Sequence, residues 1–157
     1  SMYFVALLLQ SFFVGVIYMY YLKSEASFDA AHFLKDYEGK CRNVHGHRWR
    51  VVVEIKGETL SEETQTRGML IDFSDLKKAV KDACDFFDHS LIYESGSLKE
   101  TTIKVLEEEN FRLNEVPFRP TAENFSRFFF TGLKDKGFDV HRVDVYETPN
   151  NCASFEE

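Results

Sequence analysis

The chain contains 157 residues, of which 44% are hydrophobic and 29% charged, a composition that predicts one globular domain and excludes a disordered or collagen-like chain. Its formal net charge of −7 argues against a nucleic-acid-binding protein, which needs a basic surface to displace counterions from phosphates. The cysteines Cys41, Cys84 and Cys152 are odd in number and unevenly spaced, so they indicate a reducing cytoplasmic location rather than a disulfide framework.

The N-terminus carries an apolar run, because residues 3–22 contain no charged side chain, and a run of that length could span a bilayer. A signal peptide is disfavoured, since a basic segment before the run and a small-residue cleavage site after it are both missing. Three interpretations stay open: a membrane anchor (the least favoured), a strand or helix packed on the domain or its oligomer, and residues preceding a start at Met19. We therefore divide the chain into an apolar extension, residues 1–19, and a single domain, residues 20–157.

Two strands are predicted at the start of the domain, at residues 20–33 and 44–56, with a charged, glycine-containing loop between them. Side chains alternate between the two faces of a strand. One face of the second strand therefore carries His45, His47, Trp49, Val51, Val53 and Ile55.

Two main helices and further strands are predicted to follow. The first helix extends from an N-cap at Ser74 to about residue 87, with an apolar stripe formed by Leu76, Val80, Ala83, Cys84 and Phe87. The second follows an N-cap at Thr121, with Ala122, Phe125, Phe128, Phe129 and Leu133 facing inward. Between them, residues 97–110 predict a short helix and residues 111–118 a short extended piece; residues 139–147 and 152–155 predict the last two strands.

The resulting order, β-β-α-α-β-β, predicts an α+β domain. Its two terminal hairpins would form an antiparallel four-stranded sheet, with the two main helices on one face.

Three histidines form the clearest chemical pattern. His45 and His47 project from one strand face, and a hairpin would bring His32 alongside them. Three histidines that leave a fourth position to water or substrate are typical of catalytic zinc. The less favoured alternative is that these histidines fill a half-buried sheet face. Cys41 leaves a further choice open, because it could be a fourth ligand of a closed structural site or a reactive thiol near the metal.

Several short segments together resemble the 6-pyruvoyltetrahydropterin synthase family. They are FDAAH at residues 28–32, CRNVHGH at 41–47, GMLIDF at 68–73, DH at 88–89, PTAEN at 120–124 and ETP at 147–149. The three residues between the cysteine and His-Gly-His resemble the bacterial 6-carboxytetrahydropterin synthase branch. The resemblance implies the tunnelling fold (T-fold), in which trimers close their sheets into a barrel and two trimers stack into a hexamer with active sites between subunits.

The resemblance also implies an activity. The expected enzyme is a zinc-dependent carbon–carbon lyase of 7-deazaguanine (queuosine) biosynthesis. It would convert 7,8-dihydroneopterin triphosphate to 6-carboxy-5,6,7,8-tetrahydropterin and release acetaldehyde and triphosphate. The alternatives are 6-pyruvoyltetrahydropterin synthase activity and a non-catalytic, zinc-stabilised module that binds a pterin or purine.

The family's catalytic roles transfer onto matching residues of this chain. His32, His45 and His47 would hold Zn²⁺, which would act as a Lewis acid. Cys41 would be the general base, and Asp88 with His89 would form a second proton-transfer group.

The family's substrate contacts transfer in the same way. Glu147 would anchor the pterin, because one carboxylate can accept two parallel N–H donors. Thr121 and Glu123 match pterin-side positions, although Thr121 equally suits a helix cap. Lys40, Arg42 and Arg48, which flank the proposed ligands, are candidates for the triphosphate.

Overall fold

The computed structural model describes residues 15–157. Within this range the strands are β1 (Tyr20–His32), β2 (His45–Gly57), β3 (Ser90–Glu94), β4 (Leu113–Val116), β5 (Val140–Thr148) and β6 (Asn151–Glu156). The helices are α1 (Phe73–Asp85), α2 (Glu100–Glu108) and α3 (Ala122–Asp135), and a 3₁₀ turn covers Lys40–Arg42. The α+β class and the two main helices are confirmed.

The described strands form one mixed sheet in the order β4-β3-β1-β2-β5-β6. The predicted hairpins β1–β2 and β5–β6 are antiparallel, and β2 joins them by pairing antiparallel with β5. The sheet contains two strands more than predicted. These are β3, which runs parallel to β1, and β4, which runs parallel to β3. The parallel pair is possible because α2 supplies the crossover between β3 and β4.

The core lies between the sheet and the helices α1 and α3. Trp49 and Val51 of β2 are fully buried there, and so are Leu76 and Cys84 of the predicted α1 stripe. Phe128 departs from its predicted inward position and is 39% exposed. It lies at the margin of the buried face of α3, where its ring still contacts Phe87 and Phe118.

The N-cap of α1 also differs from the prediction. The carboxylate of Asp72 accepts a hydrogen bond from the Ser74 backbone N–H at 2.8 Å, so Asp72 is the cap and Ser74 lies inside the helix. Both residue types are good caps. The N-cap of α3 is Thr121, as predicted.

The apolar N-terminal run lies mostly outside the described residues. Its last residues form the start of β1, and Val16, Ile17 and Tyr18 before them are exposed. Among residues 15–157, no helix combines the length and the hydrophobicity needed to cross a membrane. The proposed extension at residues 1–19 therefore stays an expectation.

Candidate metal centre and surrounding site

Three imidazoles meet at the end of the β1–β2 hairpin. His32 pairs directly with His45, and His47 follows two residues later on the same face of β2. One ligand nitrogen from each ring lies within 4.8 Å of the other two. The centroids of the His32 and His45 rings are 4.5 Å apart, and those of His45 and His47 are 5.0 Å apart. These three side chains could therefore bind one metal ion.

Backbone carbonyls orient two of the rings. His32 Nδ1 lies 2.7 Å from the carbonyl oxygen of Pro120, and His45 Nδ1 lies 2.7 Å from that of Asn43. A carbonyl oxygen can only accept, so Nδ1 carries the donated proton in both rings and the Nε2 lone pair is free. Metal-binding histidines are commonly oriented by this kind of contact.

Buried nitrogen atoms of the group fit a metal ion. Nε2 of His32 and Nε2 of His47 are both buried without a hydrogen-bond partner among residues 15–157. A buried polar atom left in this state costs about 1–3 kcal/mol, and a metal–nitrogen bond would remove that cost. Three imidazole nitrogens with one further position open are the ligand set of catalytic zinc.

Burial keeps the imidazoles of His32 and His47 in the neutral form that binds metals. The pKa of His32 falls to about 4, mainly because the ring is buried and further because His45 and His47 are close. Burial also lowers the pKa of His47, against the opposing effect of the Glu147 carboxylate. At neutral pH neither ring has to lose a proton before binding a cation.

The N-terminus of α3 supports the carbonyl that holds His32. The Asn124 side-chain amide donates to the carbonyl of Arg119 at 2.9 Å, and Arg119 donates to the carbonyl of Lys35 at 2.7 Å. The Thr121 hydroxyl accepts from the Asn124 backbone N–H, so it serves as the helix cap. The supporting role of Asn124 was not predicted, although the residue lies within the PTAEN segment.

Of two further residues near this group, Trp49 lies buried against the histidine rings and Glu123 is exposed. The ring of Trp49 stands nearly perpendicular to the rings of His32 and His47, at centroid distances of 4.9 and 5.5 Å. It thereby packs these two histidines against the core. Glu123 is exposed in the first turn of α3.

Glu147 reaches the histidine group from β5. Its Oε1 lies 3.4 Å from Nε2 of His32 and 3.7 Å from Nε2 of His47, and its side chain is 30% exposed. It also borders a cavity of about 450 Å³ that Arg48 and Arg50 line as well. A carboxylate beside both the histidines and an open cavity is placed to bind a ligand that also contacts the metal.

Cys41 lies in the 3₁₀ turn and is half-buried. Its carbonyl accepts from the backbone N–H of Leu34, which ties the turn to the end of β1. Within the described chain, the compact group of possible metal ligands consists of the three histidines without Cys41. This grouping argues against Cys41 as the fourth ligand of a closed site. Cys84, in contrast, is buried in the core, and this burial raises the pKa of its thiol to about 12.

Asp88 and His89 form a hydrogen-bonded pair in the turn between α1 and β3. His89 Nδ1 lies 2.8 Å from Oδ2 of Asp88, and Oδ1 of Asp88 accepts from the backbone N–H of Asp29 at 2.8 Å. The bond from Asp29 and the bond to His89 lower the pKa of Asp88. His89 adopts φ 53°, its side chain is 79% exposed, and it lines a cavity of about 700 Å³.

Known proteins resemble this chain along most of its length. The family model described as 6-pyruvoyl tetrahydropterin synthase matches residues 21–157. The 6-carboxy-5,6,7,8-tetrahydropterin synthase of Haemophilus influenzae is 39% identical over 142 residues, which cover 88% of this chain and all of the relative. The protein of that name from Synechocystis sp. is 30% identical and covers 87% of this chain and 93% of its own.

Solved structures show the same fold. The 6-pyruvoyl tetrahydropterin synthase of Plasmodium falciparum matches with a TM-score of 0.65 at 21% identity, covering 88% of this chain and 98% of its own. That of Caenorhabditis elegans matches with a TM-score of 0.63 at 22% identity, covering 92% and 99%. The expected T-fold is confirmed, and the four similar proteins named above are pterin synthases. The chain belongs to the 6-pyruvoyl tetrahydropterin synthase family.

Proposed function

We propose that the protein converts 7,8-dihydroneopterin triphosphate to 6-carboxy-5,6,7,8-tetrahydropterin, with release of acetaldehyde and triphosphate. The observation that carries this proposal is the three-histidine group, in which two buried Nε2 atoms have no hydrogen-bond partner in the part of the chain that the structure describes. The Haemophilus influenzae relative of 39% identity supports the choice of reaction. The three free cysteines suit a cytoplasmic enzyme of 7-deazaguanine (queuosine) biosynthesis.

The histidines provide the place for the metal. His32, His45 and His47 would hold zinc through imidazole nitrogens, with the Nδ1 atoms of His32 and His45 already engaged by carbonyl oxygens. Zinc bound there would supply Lewis-acid chemistry to the hydroxyl-bearing side chain of the substrate.

Proton transfer falls to two groups of this chain. Cys41 would act as general base from its half-buried position in the turn after β1, because a nearby cation favours the thiolate. The imidazole of His89 would donate or accept the second proton. Asp88 would hold its Nδ1 and thereby fix which ring nitrogen faces the substrate.

Substrate recognition falls to Glu147. Its carboxylate would accept two N–H groups of the pterin ring while that ring lies beside His32 and His47. The hydroxyl of Thr121 is engaged as a helix cap, and Glu123 lies exposed nearby. We keep both as candidate pterin-side residues.

We further propose a homohexamer built from two trimers, with sites at subunit interfaces. Two features support it. Among the described strands, β4 and β6 are at the two edges of the sheet, and β1 pairs with β3 over only three residues. Unpaired strand edges are templates for pairing with another chain. His89 lines an open cavity that His47 and Arg48 also border, and a neighbouring subunit could complete it.

The direct test mixes the zinc-loaded protein with 7,8-dihydroneopterin triphosphate and identifies the products. Acetaldehyde together with 6-carboxytetrahydropterin is expected. A pyruvoyl product would be compatible with the proposed metal site, but it would contradict the proposed 6-carboxytetrahydropterin branch. No product from zinc-loaded protein would favour a binding module.

The Cys41→Ala variant separates catalysis from structure. The proposed enzyme keeps its zinc in this variant and loses turnover. Loss of both zinc and fold would instead indicate that Cys41 belongs to a closed structural site. Cys152→Ser, which changes an exposed cysteine of β6, is the matched control.

A further inference from the structure

The side chain of Arg112 caps the C-terminal end of α1. It stands one residue before β4, and its guanidinium donates to the carbonyls of Asp85 at 3.2 Å, Phe86 at 3.0 Å and Asp88 at 3.0 Å. The last carbonyls of a helix lack partners within the helix, so a basic side chain that reaches them satisfies them. Here the donors come from the segment just before β4, and they reach past the end of the helix to the carbonyl of Asp88.

Asn114 of β4 strengthens the same junction. Its amide donates to the carbonyl of Phe86 at 3.0 Å and to the hydroxyl of Ser90 at 2.8 Å. That hydroxyl, on a buried residue, donates in turn to the carbonyl of Phe87 at 2.6 Å. The backbone around Asp88 and His89 is thus held before and after the pair.

This support matters because the turn is conformationally demanding. His89 has φ 53°, in the left-handed region that a residue with a side chain seldom adopts. Its backbone N–H donates to the carbonyl of Asp29 at 2.7 Å. With Asp29 bonding one side of the turn and Arg112 the other, the direction of the His89 ring depends on both.

We propose that Arg112 is a positioning residue for the Asp88–His89 pair and acts through the backbone carbonyls that it binds. The inference rests on the proposed function only for the role of His89 as a proton-transfer group. A guanidinium suits this task because its planar fork of donors can reach several carbonyls at once, whereas an ammonium is a single point of charge.

Steady-state kinetics test the proposal with Arg112→Ala, Arg112→Lys and the control Arg127→Ala, which removes an exposed arginine of α3. We expect kcat of Arg112→Ala to fall about 10- to 100-fold, with KM and zinc content close to those of the parent protein. Arg112→Lys should be impaired in the same direction, and added guanidinium ion should partly restore Arg112→Ala. A raised KM with unchanged kcat would overturn the proposal, since Arg112 would then contact substrate.

Nuclear magnetic resonance of the His89 ring gives a readout that does not need turnover. The parent protein should show His89 protonated on Nδ1, facing Asp88, and Arg112→Ala should show mixed protonation of the two nitrogens. Unchanged ring signals in both Arg112 variants would overturn the proposal. If the parent protein lacked turnover and the ring signals still changed, the proposed reaction would fail while the positioning role would stand.

Discussion

The imidazole of His32 donates a hydrogen bond from Nδ1 to the carbonyl oxygen of Pro120 at 2.7 Å, across 88 residues of sequence. This bond joins the end of β1 to the N-terminus of α3, and it leaves Nε2 of His32 free for a metal ion. The geometry of this candidate metal site therefore depends on how the residues before α3 are held, and not only on the hairpin that carries the three histidines.

Asn124→Ala should weaken zinc binding although the residue touches no metal-facing histidine nitrogen. The substitution removes the amide that holds the carbonyl of Arg119, beside Pro120, and so loosens the acceptor of His32. Loss of such supporting contacts typically lowers metal affinity by about 10- to 100-fold. Competition with a chelator measures the change, and Gln65→Ala, which removes an exposed amide elsewhere, is the control. Equal affinities in the two variants would contradict this dependence.

The metal-free protein should lose stability as the pH falls. The pKa of His32 drops from 6.5 to about 4 on folding because the ring is buried. Between these values the unfolded chain binds more protons, so the free energy of unfolding decreases as pH decreases through this window. From about pH 7.5 to about pH 5 the expected loss is about 2 kcal/mol for this group. The lowered pKa of His47 acts in the same direction.

Urea unfolding of chelator-treated protein at several pH values measures this slope. His32→Gln should flatten it, because glutamine does not titrate. Carboxylates with lowered pKa, such as Asp88, lose their contribution at more acidic pH than His32 does. A slope identical in the parent protein and in His32→Gln would show that another group is responsible.

Local patterns predicted the β1–β2 hairpin and its histidine face, because period-two alternation alone puts His45 and His47 on one side. The strand β3 was not predicted, since it has five residues and pairs with β1 over only three. Local patterns also could not predict which residues far apart in the sequence would come into contact. Neither the approach of Glu147 to His32 nor the reach of Arg112 to the end of α1 has a signal in the spacing of residues.

Cysteine alkylation should separate Cys41 from Cys84. Burial raises the pKa of Cys84 to about 12, so its thiol stays protonated and shielded in the folded protein. Cys41 is half-buried in a turn and should react with iodoacetamide, with loss of turnover. Mass spectrometry of a Cys152→Ser protein identifies the modified residue. Alkylation of Cys84 before unfolding would contradict the assignment.

Substitutions at His89 should separate its catalytic and conformational roles. His89→Asn and His89→Val should both lose turnover, because neither side chain transfers protons. Asparagine tolerates the φ of 53°, whereas the β-branched valine should cost about 1–2 kcal/mol more. Thermal unfolding measures that difference. Equal stability of the two variants would mean that the left-handed backbone at this position is not retained.

Glu147→Gln should separate pterin binding from metal binding. The change keeps the shape of the side chain and removes the charge that would accept two N–H groups. Loss of a charge-assisted pair of hydrogen bonds predicts about 2–3 kcal/mol weaker binding, roughly 30- to 150-fold. Calorimetric titration with neopterin measures the affinity, and Glu58→Gln, an exposed glutamate in the polar connection after β2, is the control. Zinc content should stay unchanged, because the compact ligand group consists of His32, His45 and His47. Loss of zinc in Glu147→Gln alone would instead make the carboxylate a metal ligand, for which its 3.4 Å approach to Nε2 of His32 leaves room.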